Sequence, residues 1–171
     1  MECLRQSKLL GGLLTVPIEF LRQNVKPTWP ELVWAYEMAI LGWKNLTDVA
    51  EAEVESGRDD VSMVELAGVG RSDSWRAIEI AQDIAARCGA VNQESCQRKW
   101  LHLLLKCLYE RRDQFSDPLQ IVEQLYADFD YPEEIAGFVR WMPARESVSG
   151  EAEGLQRIEK EWKAYLERTE P

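Results

Sequence analysis

His102 is the single histidine of the chain, so a Ser-His-Asp or Cys-His mechanism would have to run through it. No G-x-S-x-G or comparable nucleophile motif accompanies it. Helical spacing sets His102 between Lys99 and Lys106, the surroundings of a solvated edge rather than of a catalytic cleft. Zinc would need a second histidine or a C-x-x-C pair, and the sequence has neither. Asp128, Asp130, Glu133 and Glu134 offer hard oxygens within one turn-and-cap segment, the makings of a carboxylate cation site. Their spacing lacks the turn glycine and the terminal bidentate glutamate of an EF-hand loop. Gly11-Gly12 and Gly68-Val69-Gly70 fit neither phosphate-cradling pattern. These residues predict a protein that is not an enzyme, with no catalytic residue, metal or cofactor assigned.

The same carboxylates read differently as charge. The chain has 171 residues and 19.7 kDa, with thirty acidic against twenty basic side chains, a net charge of −10 and a pI near 4.7. That balance excludes a protein that neutralises many phosphates, and so general nucleic-acid binding. Residues 1–60, 61–116, 117–142 and 143–171 carry −4, +1, −5 and −2. The third segment is therefore an acidic patch able to attract and orient a basic partner. A plainer explanation competes with this one. Asp117, Asp130, Glu133 and Glu134 all stand where helix N-termini are expected, and carboxylates there satisfy amides and complement the dipole without any partner. A second acidic stretch runs from Asp48 through Glu51 to Glu55. Of the seven tryptophans, most fall on apolar stripes and belong to the core, while Trp29 and Trp43 flank a helix and are expected to be partly exposed.

The elements that would position these residues are helices. Thr28-Trp29-Pro30-Glu31 is a cap, a first-turn proline and an N3 glutamate, opening a helix that Gly42 stops. Weaker helices follow over Thr47 to Glu55 and Asp60 to Ala67. Ser72 or Asp73 caps a one-sided helix ending at Cys88 before Gly89. Gln93 to Arg112 is the longest periodic segment, with Arg98, Lys99, His102 and Lys106 outside its apolar arc. Asp117-Pro118 opens the next helix, and Asp130 to Glu134 opens another, carrying Ile135, Phe138, Val139, Trp141 and Met142. The best strand candidate is short, Leu13 to Phe20. The class is all-α: an irregular bundle or stacked antiparallel helix pairs, about seven to eight helices. One helical domain spans residues 1–171, with a core at 16–143, a linker at 144–154 and an amphipathic helix at 155–168. Cysteines 3, 88, 96 and 107 read as reduced, mostly buried thiols of a cytosolic protein. The apolar stretch from Leu9 to Ile18 lacks a clear signal-cleavage site, and no run is long enough to span a membrane.

The segment WLHLLLKCLYERRDQFSDPLQIVEQLYADFDYPEEIAGFVRWMP, Trp100 to Pro143, resembles the C-terminal hallmark of a bacterial family known as a conserved domain of unknown function. VPIEFLRQNVKPTWPELVWAYEMAILGWKNLTDVAEAE, from Val16, is similar to that family's N-terminal part. The run from Tyr126 to Glu133 is the most specific stretch, while residues 1–15 and 144–171 match less well. Small, acidic, helical proteins of this kind resemble the immunity proteins encoded beside polymorphic or contact-dependent toxins. The resemblance implies a cytosolic protein that neutralises a cognate basic toxin domain, often a nuclease, by protein–protein binding rather than by membrane or nucleic-acid contact. Asp128, Asp130, Glu133 and Glu134 are then the contact residues, with Asp48, Glu51 and Glu55 as a second patch. A carboxylate-metal enzyme and a helical adaptor without a toxin partner are the alternatives.

Overall fold

The structure, a computed structural model, describes Leu14 and residues 16–58, 60–142 and 151–168. Among these, eight α-helices and short 3-10 turns form an all-α fold with no strand. The contacts of the described residues group into two compact units, one within residues 16–96 and one within residues 97–168. The boundary falls inside a continuous helix.

The first unit contains α1 (Ile18–Asn24), α2 (Trp29–Glu37), α3 (Trp43–Glu55), α4 (Val61–Ala67) and α5 (Trp75–Cys88). Where a strand was expected across Leu13 to Phe20, Ile18 to Phe20 already belong to α1. Leu14 and Val16 are buried ahead of it. The Thr28 N–H donates to the Glu31 carboxylate at 2.7 Å, the capping reach expected at the start of α2. The helix stops five residues before Gly42, because Ala39 turns left-handed at φ +56°. The N–H groups of Ala39 and Ile40 then fold back onto the carbonyls of Tyr36 and Ala35, a closure glycine normally makes. Trp29, expected at the surface, is 2% exposed. Its indole N–H donates to Glu53 on α3 at 3.3 Å, and burying the ring beside a polar acceptor satisfies both its ends. Trp43 is half-buried. Trp75, at the start of α5, is 61% exposed. Ala77, Ile80, Ala81, Ile84 and Ala85 supply the buried stripe of α5, which packs on α2, α3 and α4.

The helix that crosses the boundary is α6 (Gln93–Glu110), capped by the Asn92 side chain accepting from the Ser95 N–H. From Trp100 to Leu105, and again at Cys107 and Leu108, every side chain is buried, which fits a helix covered on more than one side. The second unit continues with α7 (Pro118–Asp128), a 3-10 turn over Glu133–Phe138, and α8 (Glu151–Arg168). The terminal helix thus starts four residues ahead of its expected position at 155. The linker residues 144–150 and Cys3 lie outside the described residues. Phe138 stacks on Trp162 with the planes 5° apart, and Tyr109 meets the same indole edge-on at 5.2 Å. This aromatic cluster is what α8 contributes to the core of its unit. Cys96 and Cys107 are buried thiols, whereas Cys88 is exposed at the end of α5. No helix among the described residues is long and apolar enough to cross a membrane.

Candidate partner-binding site

His102 is not on a solvated edge. It is 2% exposed, with its ring 5.7 Å from that of Tyr165 on α8. Burial, and then the Lys106 charge, lower its basicity, and its Nδ1 has no hydrogen-bond partner among the described residues. The apolar arc of α6 is wider than the periodicity implies because α8 covers the side on which His102 lies. Lys99 and Lys106, on either side of it along the helix, are half-buried.

The acidic segment is built around α7. Asp117 caps it, accepting from the Gln120 N–H at 3.1 Å, with Pro118 in the first turn. The Arg140 guanidinium donates to Glu123 at 2.8 Å and to Asp117 at 2.9 Å, so two of the segment's carboxylates serve its own arginine. Burial pushes the Asp117 carboxyl up, but the Gln120 amide and the Arg140 charge outweigh it and leave the group below its usual range.

Beyond α7 the chain departs from expectation. Asp130 and Tyr131 both adopt left-handed backbone, at φ +62° and +58°. The Tyr131 N–H returns to the Tyr126 carbonyl at 2.8 Å. Two left-handed residues followed by Pro132 cannot lead into an α-helix, so the expected helix is a six-residue 3-10 turn with Pro132, not Asp130, at its N-cap. Asp130 therefore caps nothing. It is exposed and makes no ion pair or hydrogen bond to another described side chain. Asp128, at the end of α7, is half-buried.

The same departure brings out two aromatic rings. Tyr131 is 56% exposed and Trp141 57% exposed. Trp141 was expected in the core, but Val139 is extended and breaks the helical phase that would have turned the indole inward. Both rings contact the buried Tyr126, at 5.3 Å with the planes 84° apart and at 5.6 Å with the planes 60° apart. Sequence periodicity missed this pair; the Tyr-Pro step, which disfavours helix in the residue before proline, signals only that Tyr131 is not helical.

Glu133 and Glu134 are exposed on the rim of a cleft of about 460 Å³ between the 3-10 turn and α8. Arg157, Lys160 and Arg168 line the same cleft, so the charge there is mixed. Arg157 donates to the Gly137 carbonyl at 3.1 Å and to Glu161 at 2.8 Å. The buried Tyr165 phenol is pushed up to about 12 by desolvation first and the Glu134 charge second.

In the first unit, Asp48, Glu51 and Glu55 recur at helical spacing on one face of α3. Asp48 is ion-paired with Lys44, and its carbonyl accepts from Arg22 at 2.7 Å. Glu51 and Glu55 are exposed and carry no ion pair among the described residues. No group of three or more His, Cys, Asp or Glu among the described residues is arranged to hold a metal ion.

Residues 18–170 match the model of a family described as uncharacterized protein conserved in bacteria (DUF2247). The chain belongs to this family. Its DUF2247 span runs through α8, so the C-terminal residues that resembled the family less in sequence are part of it up to residue 170. The acidic segment after α7 and the mixed-charge cleft both lie within the DUF2247 match. No curated protein and no solved structure matches the chain.

Proposed function

We propose that this DUF2247 chain is an acidic immunity-type binding protein of the bacterial cytosol, which neutralises a cognate basic toxin domain by covering it. The observation that carries the reading is Asp130: an exposed carboxylate on left-handed backbone that, among the described residues, neither caps a helix nor pairs with a base. An exposed charge that the described residues leave unpaired is available to another molecule. Glu133 and Glu134 follow Asp130 in the next turn and add exposed carboxylates at the rim of the mixed-charge cleft, and Asp128 precedes Asp130. Asp48, Glu51 and Glu55 form the second acidic surface, of which Glu51 and Glu55 are the unpaired members.

Tagged protein recovered from its native host should bring down the product of the neighbouring gene. The triple change Asp130→Asn, Glu133→Gln, Glu134→Gln should reduce that recovery several-fold while leaving the fold intact by circular dichroism. Absence of that product from the wild-type pull-down would remove the toxin-neutralising reading.

A further inference from the structure

The aromatic pair beside Asp130 suggests what the surface grips. Tyr131 and Trp141 each leave more than half of their area to water, yet both rest on the buried Tyr126, which fixes them in place. Large rings held rigid and exposed are costly to keep in water and lose little side-chain freedom on binding, the properties of an interface anchor. The backbone cost points the same way. Two consecutive non-glycine residues in the left-handed region place Tyr131 outward, where a right-handed continuation of α7 would have given an ordinary helix.

The ring faces carry negative potential, and so does the carboxylate at Asp130 immediately before Tyr131. A neutral apolar partner would bury Asp130 unpaired, whereas a cation is attracted by rings and carboxylate alike. Between the two cationic side chains, a guanidinium stacks flat on an aromatic face and still directs N–H donors at a carboxylate. The segment around the rings carries −5, so the field draws a basic surface towards it.

We propose that Tyr131 and Trp141 bind an arginine side chain presented by a basic partner protein, the guanidinium lying on their exposed faces with Asp130 as its counter-charge. This deepens the binding-protein reading and rests on it for the identity of the partner, but not for the chemistry of the site.

The test is a titration of the full chain with the blocked tripeptide acetyl-Gly-Arg-Gly-amide, following the indole N–H signals by NMR, with the citrulline tripeptide as the uncharged isostere. The Trp141 signal, assigned with Trp141→Phe, should move with the arginine peptide and not with citrulline. Tyr131→Ala should weaken the response by about 2- to 5-fold, the order of one exposed cation–π contact, and Asp130→Asn should weaken it and reduce its salt sensitivity. An unmoved Trp141 signal, or equal movement with both peptides, overturns the proposal. Failure here is separable from failure of the proposed function. A neighbouring gene product captured by a chain whose Trp141 ignores arginine would refute the anchor alone; a Trp141 response without any captured product would uphold the anchor and refute the toxin reading.

Discussion

Three residues of this chain sit where ordinary chemistry would not leave them, and each does so at a cost. Asp130 and Tyr131 hold left-handed backbone at about 1 kcal/mol or more apiece. His102 gives up hydration beside Tyr165 and gains no partner for Nδ1 among the described residues. Burial first, and the Lys106 charge second, make the folded chain bind a proton less readily than the unfolded chain, whose imidazole titrates near 6.5. The contribution of neutral His102 is therefore fully present above that value and is lost as the pH falls towards the lower folded-state value. The urea midpoint of the wild-type chain should drop between about pH 7.5 and about pH 5.5, above most carboxylate titration. His102→Phe, which keeps a ring against Tyr165 and cannot protonate, should show a flatter profile. Identical slopes in the two proteins would mean that His102 is not the group responsible.

At the scale of elements, the 3-10 turn and α8 are joined by a contact that depends on one missing methyl group. A Cβ at Gly137 would overlap the Glu161 carboxylate, which pairs with Arg157 while Arg157 holds the Gly137 carbonyl. The carboxylate is the far end of a flexible side chain, so Gly137→Ala should move it aside and break the pair rather than unfold the unit. The expected loss is about 0.5–1 kcal/mol of unfolding free energy. Glu161→Ala should remove most of that penalty in the double variant, because the two changes share one contact. Additive losses in a denaturation cycle would show that Gly137 is needed for another reason. The same contact aligns Phe138 with Trp162 and Tyr165, so the aromatic core of this unit and the rim carrying Glu133 and Glu134 are held by one short turn.

Over the whole molecule the relevant quantity is the net charge of −10. A surplus of that size acts beyond any single contact, steering a basic partner before the surfaces meet and chiefly raising the association rate. Raising salt from about 50 mM to about 500 mM shortens the Debye length to a few ångströms. Association with the captured partner should then slow by at least about tenfold, with a smaller change in dissociation. Stopped-flow or surface-binding measurements separate the two rates, and an association rate indifferent to salt would contradict charge steering. The carboxylates tied up by Arg140 and Lys44 contribute to this long-range field but are not free to make new contacts.

Local pattern was enough for the all-α class, the caps at Thr28 and Asp117 and the buried stripe of α5, because capping and helical periodicity act within a few residues. The acidic excess and its concentration in residues 117–142 are equally matters of composition. Other features depended on which surfaces meet. Trp29 went inside because Glu53 on another helix accepts its indole N–H. His102 was covered because α8 lies over that side of α6. Trp141 came out because the chain after Asp130 abandons the helical phase that periodicity assumes. Burial is a property of neighbours distant in sequence, and a hydrophobic period records where a helix has an apolar face, not what will come to rest on it.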